Sequence, residues 1–432
     1  MSLNRRDLLK SALGGVALKA LATGLPLGAF LAPRPGRAQA QRPGAMLILF
    51  TSGSGDPINA NVPGTYGTGA EQVVHSPDAA MAPTTLRLSG RNYTAAKPWA
   101  DLPQATLDRT VFFHHATYTP VHQDQSRVMK VMGETDDNEM FASLFAKELA
   151  PRLGTVQSVP LSLGARTGSE LLSAGGQVLA NVGPQSIRRA LGGAQGPLAG
   201  LQTLRDREID RIYGVFKKSG TKNDLRLLDG WARSRDEVRG VSDSLLGLLD
   251  AIDGDDDDNQ VVAAPVLAAM NITPVITIKG SFGGDNHNDT GLVTEAAQHV
   301  SGVARMQRLL TELDRMKSEG LLRHEVVIST LNVFGRTLKK KGTAGRDHNR
   351  NHHVTVMMGS ALKGGVVGGL ELGGGDFQAR SIDSTTGAAG GDIPFDATLG
   401  SMAKTLGTAL GVSSDRLDAM IRVGKPVASA LV

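Results

Sequence analysis

The chain has 432 residues, 41% of them hydrophobic and 20% charged, which is the balance of a folded globular protein rather than a disordered or membrane-embedded one. It contains no cysteine, so disulfides, thiolate metal ligands and a cysteine nucleophile are all excluded. The formal charge of +4 comes from the N-terminus: Arg5, Arg6, Lys10, Lys19, Arg34 and Arg37 stand against Asp7. Removing those six basic residues and one acid from totals of 46 and 42 leaves 40 against 41, which excludes a nucleic-acid reading built on net charge.

In chain order, the first 40 residues read as an export signal. Paired arginines, Arg5 and Arg6, precede Leu8 and Leu9. A mostly apolar stretch follows over 11–32, and Ala38-Gln39-Ala40 offers small residues at the two positions a signal peptidase reads. The arginine pair fits the twin-arginine route. Lys19 and Pro26 interrupt the apolar run, so no stable membrane anchor is expected.

The remainder, 41–432, is expected to form one domain. Short apolar, β-branched runs at 46–50, 110–113, 159–163, 273–278, 325–330 and 354–358 predict buried strands of a largely parallel sheet. Helical patterns at 138–149, 290–322 and 396–410 alternate with them, which places the chain in the α/β class. Apolar spacing over 197–252 predicts a helical hairpin, the core of an insertion spanning about 197–260. The run Asp253-Gly254-Asp255-Asp256-Asp257-Asp258 lacks the glutamate a calcium loop needs and reads as a solvated acidic loop.

Chemistry is expected where parallel strands end, because ligands bind beyond the carboxyl ends of such sheets. After 46–50 comes TSGSGDPIN with Asp56. After 110–113 come His114, His115 and His122. KGSFGGDNHND follows 273–278 with Asp285, His287 and Asp289. Beyond 325–330 the chain reaches GRDHNRNHH, residues 345–353, with Asp347 and His348. Carboxylate and imidazole together suit zinc, manganese or another borderline divalent ion. Two such ions about 3.5–4 Å apart can clamp an in-line displacement at phosphorus or sulfur. Asp56, Asp285, His287, Asp347 and His348 are the five best ligand candidates, with Asp289, His115 and His122 available to complete a set. His115, His122 and Thr117 are the candidates for catalytic roles. Adjacent strand residues point to opposite faces, so His352 and His353 cannot both serve one site, and both are read as structural. Lys339-Lys340-Lys341 reads as a solvated run able to attract an anionic substrate.

These stretches also carry a family likeness. FGRTLKKKGTAGRDHNRNHHVTVMMGSALKGGVVGG, residues 334–369, together with LILFTSGSGDPINANVP, HHATYTPVHQ and GGDNHND, resembles the exported bacterial family known as domain of unknown function 1501, within the alkaline phosphatase and sulfatase superfamily. The resemblance implies a three-layer α/β/α sandwich of the alkaline phosphatase type. It implies metal binding by Asp56, by Asp285 with His287, and by Asp347 with His348. It also implies an exported, periplasmic or secreted hydrolase of phosphate or sulfate esters, using zinc or manganese, with calcium and magnesium as further options. Superfamily enzymes carry a nucleophile where this chain reads TPVHQDQSRVMKVMGE, with Gln123 in place of the modified cysteine. The alternative expectation is therefore a non-catalytic exported binding or assembly protein that retains the fold.

Overall fold

A computed structural model describes residues 44–166, 170–191, 247–339 and 344–432, together with the isolated helical positions Glu208, Arg211, Gly214 and Lys218. The expected signal segment, most of the helical hairpin, and Lys340 and Lys341 lie outside the described residues.

The strands, in chain order, are β1 (Ala45–Ser52), the ribbon β2 (Pro83–Leu88) and β3 (Arg91–Ala96), β4 (Thr110–His115), β5 (Leu161–Ser162), and the short pair β6 (Ser173–Ala174) and β7 (Gln177–Val178). Then come β8 (Val275–Lys279), β9 (Glu325–Asn332), β10 (Gly335–Arg336), β11 (His348–Asn349), β12 (His353–Met358), β13 (Gly365–Val367), and the ribbon β14 (Leu370–Gly373) and β15 (Asp376–Ala379). Seven of them form one sheet in the order β13-β4-β12-β9-β1-β8-β5. β1 lies at its heart, parallel to β9 from Ala45 opposite Glu325 to Ser52 opposite Asn332, and parallel to β8 on its other edge. All pairings are parallel except those of β12, which runs antiparallel to both β4 and β9. The expected strand at 354–358 is thus real but reversed.

β1 and β12 are almost wholly buried along their length, which is why their sequences, AMLILFTS and HVTVMM, show no polar alternation. Among the described residues, four helices of twelve residues or more support the sheet: α1 (Phe141–Leu153), α2 (Asp257–Ala269), α3 (Val293–Ser318) and α4 (Thr398–Ala409). α1 packs on β1 and β8, α4 on β4, and α2 on both β8 and α3, a mixed α/β arrangement compatible with a three-layer sandwich. Among the described residues, no helix is long and apolar enough to cross a membrane.

The acidic run at 253–258 is not simply a loop. Asp256 caps α2 by accepting from the Asn259 amide, and Asp257 and Asp258 lie in the first turn, where the helix dipole favours negative charge. Asp289 has a similar fate at α3: its carboxylate accepts from the amides of Val293, Thr294 and Glu295, so it anchors a helix start.

Candidate metal centre

Four strand exits on one rim of the sheet build the site. The chain leaves β1 through Gly55, whose φ of +70° and position against the Phe334 ring, 2.2 Å from where a Cβ would sit, admit only glycine. That turn lets Asp56 bridge to Gly335 just past the end of β9. β9 continues through Phe334 into β10, which pairs antiparallel with β11 and sets Arg336 opposite His348. The loop after β8 brings Asp285 and His287. A single helical turn, His122–Asp124, presents His122 beyond the end of β4.

One ligand atom each from His122, Asp285, His287 and His348 lies within 4.8 Å of the others. His287 Nε2 is central. It stands 2.8 Å from His348 Nε2 and 3.3 Å from Asp285 Oδ1. Two hydrogen bonds at the cluster place a proton on the Nδ1 atoms of His348 and His122. His348 Nδ1 lies 2.6 Å from the Pro120 carbonyl and His122 Nδ1 lies 2.8 Å from the Gly53 carbonyl. A carbonyl only accepts, so both Nδ1 atoms carry the hydrogen and both Nε2 atoms keep a lone pair. Arg336 Nη1 lies 3.3 Å from His287 Nε2, and the tautomer of His287 decides whether that nitrogen accepts from Arg336 or donates to His348. With both Nε2 atoms unprotonated, two lone pairs face each other at 2.8 Å and repel unless a positive centre lies between them. Burial holds the His348 pKa below its ordinary value, with Arg336, His122 and His287 adding to the effect against the Pro120 contact, so a shared proton is disfavoured. A cation satisfies the geometry. Imidazoles oriented through Nδ1 by carbonyls are how proteins hold metal ligands in place.

Phe334 stacks on His348 at 4.2 Å between ring centres and packs against His122 at 4.9 Å, forming the apolar wall of the cluster. Arg336 forms its floor. Its side chain is fully buried; Nη2 donates to the Ser54 carbonyl at 2.6 Å and to Asp285 Oδ1 at 3.0 Å. Burial lowers its pKa, opposed by Asp285, Asp56 and Asp347.

The other expected site residues fall elsewhere. Asp347 flanks the cluster: its Oδ1 accepts from the His348 amide at 2.8 Å and lies 3.8 Å from His287 Nδ1. Asp56 lies beneath, fully buried. Its Oδ1 accepts from the amides of Phe282 and Gly284, both at 2.9 Å, and its Oδ2 from the Asn332 side chain. Burial raises its pKa to about 7 against the pull of those two amides and of Arg336. Both oxygens are thus spent on holding the β8 exit and the end of β9 together, whereas the family likeness implies a ligand. His115 is in the core, with Nδ1 on the Ala116 carbonyl and Nε2 on Thr355 Oγ1. Thr117 is likewise fully buried. Neither joins the cluster. His352, just before β12, contacts His114 at 3.0 Å, and His353 of β12 contacts His115 at 3.3 Å, two buried histidine pairs against β4.

Sequence reasoning passed over the pair that assembles the rim. Glu295 and Arg346 are both fully buried and meet at 2.7 Å. Glu295 also accepts from Asn61 and Asn286, and Arg346 donates to the carbonyls of Thr337, Leu338 and Val74. Asn286 stands between Asp285 and His287, and Arg346 is two residues from His348. Gly345 closes the same seam: a Cβ there would lie 1.8 Å from the Asn286 carbonyl oxygen.

The fold and site define an α/β protein with a histidine-rich candidate metal centre at its sheet rim. Residues 275–378 match the family described as Protein of unknown function (DUF1501). The match covers Asp285, His287, Arg336, Arg346 and His348, and leaves out His122. No curated protein matches the chain.

Proposed function

We propose that the chain is an exported, divalent-metal-dependent hydrolase of phosphate or sulfate esters, built on an alkaline phosphatase-like sandwich. The observation that carries this reading is the meeting of His122, Asp285, His287 and His348 within 4.8 Å at one rim. Three imidazoles and one carboxylate favour zinc or manganese over magnesium or calcium, which prefer all-oxygen sites. When bound, such an ion supplies Lewis acidity toward an ester oxygen and toward water. His122 and His348 present their Nε2 atoms because backbone carbonyls hold the opposite nitrogens. Arg336 supplies fixed positive charge for an anionic ester. The paired arginines at Arg5 and Arg6 support delivery to the periplasm, or beyond it, by the twin-arginine machinery.

A non-catalytic binding or assembly protein is the second reading, and one observation favours it. Thr117 and Thr119 are both buried, at 0% and 3% exposure, so neither hydroxyl is open to an ester. Assay of the purified chain against aryl phosphate and sulfate esters, with zinc or manganese supplied, decides between them. Turnover that disappears in His348→Ala supports the hydrolase. Bound metal with no turnover on any ester supports the binding protein.

A further inference from the structure

We infer that Glu170 is a positioning residue for the metal centre: it fixes Gly53, whose carbonyl aims the His122 imidazole at the ion; this rests on the metal reading above. The Gly53 carbonyl accepts from His122 Nδ1 at 2.8 Å, and among the described residues the His122 ring has no other hydrogen bond. The direction in which His122 Nε2 presents its lone pair therefore depends on that carbonyl. Gly53 lies in the loop TSGSGD, residues 51–56, and glycine has more backbone freedom than any other residue. A glycine carbonyl orients a ring only if both of its flanking peptides are held. On the far side, the Ser54 amide donates to Ser52 Oγ at 3.0 Å. The near side is the Gly53 amide.

Glu170 holds that near side. Its Oε1 accepts from the Gly53 amide at 2.8 Å and its Oε2 from the Arg166 amide at 2.7 Å, so one carboxylate ties the loop after β5 to the loop after β1. Bonds to a charged acceptor are about twice as strong as neutral ones. The carboxylate shares a small cleft with Thr51, Ser162 and Lys279, at the ends of β1, β5 and β8. A Cβ on residue 53 would lie 3.2 Å from Glu170 Oε1 and 3.5 Å from the His122 carbonyl oxygen, so the bare backbone lets Glu170 and the His122 turn close on the same residue. Glu170 is not among the residues whose ligand atoms converge on the cluster. It acts through one backbone residue on one imidazole. Supporting partners of this kind commonly set metal affinity by orienting the ligand they hold. The consequence is specific: the effect of Glu170 on the ion exists only while His122 is present.

The test is a double-variant cycle on the full chain with cobalt(II) as the probe. Affinity is read by chelator competition and coordination by visible absorption. Glu170→Ala is expected to weaken cobalt(II) about tenfold and to move its absorption spectrum toward that of His122→Ala. Glu170→Gln keeps an oxygen for the Gly53 amide and is expected to restore affinity to within about threefold of wild type. In a His122→Ala background the same Glu170→Ala change is expected to cost less than about twofold. A merely structural role would give the same loss in both backgrounds. If Glu170→Ala does not fold, Glu170→Asp, one methylene short of Gly53, takes its place in the cycle. Unchanged affinity on loss of the Glu170 contact, or an undiminished loss in the His122→Ala background, overturns the inference and leaves the metal reading standing. Absence of cobalt(II) binding to the wild type, with zinc absent too, removes the metal reading and the inference with it.

Discussion

His287 and His348, 61 positions apart in the chain, bring their Nε2 atoms to 2.8 Å of each other. That contact joins the β8 exit to the β9 exit across the carboxyl rim of the sheet. Replacing either imidazole by alanine is expected to weaken zinc or manganese binding at least about a hundredfold, beyond the usual cost of losing a supporting residue. Both side chains are partly exposed, so folding stability should change by less than about 1 kcal/mol. Competitive chelator titration and urea unfolding of the same variants check both halves.

Asp56 separates support from ligation. Rotation of the Asn332 amide lets its Oδ1 accept from the new side-chain amide, so Asp56→Asn keeps that contact and the two bonds from the Phe282 and Gly284 amides. This variant is expected to fold within about 1 kcal/mol of wild type and to retain its ion. Asp56→Ala leaves two buried amides unpaired and should cost about 3 kcal/mol. Loss of the ion in Asp56→Asn, seen by elemental analysis, would show that this carboxylate is a ligand after all.

The Glu295–Arg346 pair predicts a purely structural loss. Removing one partner strands a buried charge, so Glu295→Ala should cost about 3–5 kcal/mol in denaturant unfolding. A cost below about 1 kcal/mol would mean the pair does not hold the rim together.

Acid should destabilise the fold. Burial lowers His114 and His115 to about 4 and His299 to about 3, and holds His352 and His353 well below the ordinary value. Between those values and about 6.5 the unfolded chain binds more protons than the folded one, so stability falls as pH drops through that window. Asp56 acts in the opposite sense. Its folded pKa of about 7 exceeds the ordinary aspartate value of 3.8, so its contribution grows as pH falls from 7 toward 4. Five histidines oppose one carboxylate, and the urea midpoint should be lower at pH 5 than at pH 7.5. An equal or higher midpoint at pH 5 contradicts this.

Much of the sheet was legible because buried parallel strands leave uninterrupted apolar runs: 46–50 foreshadows Ala45–Ser52, and 325–330 foreshadows Glu325–Asn332. The direction of His353–Met358 was not, since an apolar run reads the same in either direction. α2 escaped notice because its residues are buried all round, with Pro265 inside it, so no amphipathic period marks it. In the site, the strand-exit rule singled out Asp285, His287 and His348. It could not separate His115 from His122, because register alone turns His115 into the core toward Thr355. Arg336 was visible only as part of the FGRT stretch of the family likeness, and Glu295 carried no signal. Their importance lies in being buried beside particular partners, which neither residue type nor spacing announces.

The most direct test is the metal content of the purified chain and of a His287→Ala, His348→Ala double variant, each folded with zinc and manganese supplied. A bound divalent ion in the wild type, absent from a double variant with an unchanged circular dichroism spectrum, is the predicted result. A well-folded wild type that carries no ion, or a double variant that keeps it, would contradict the account.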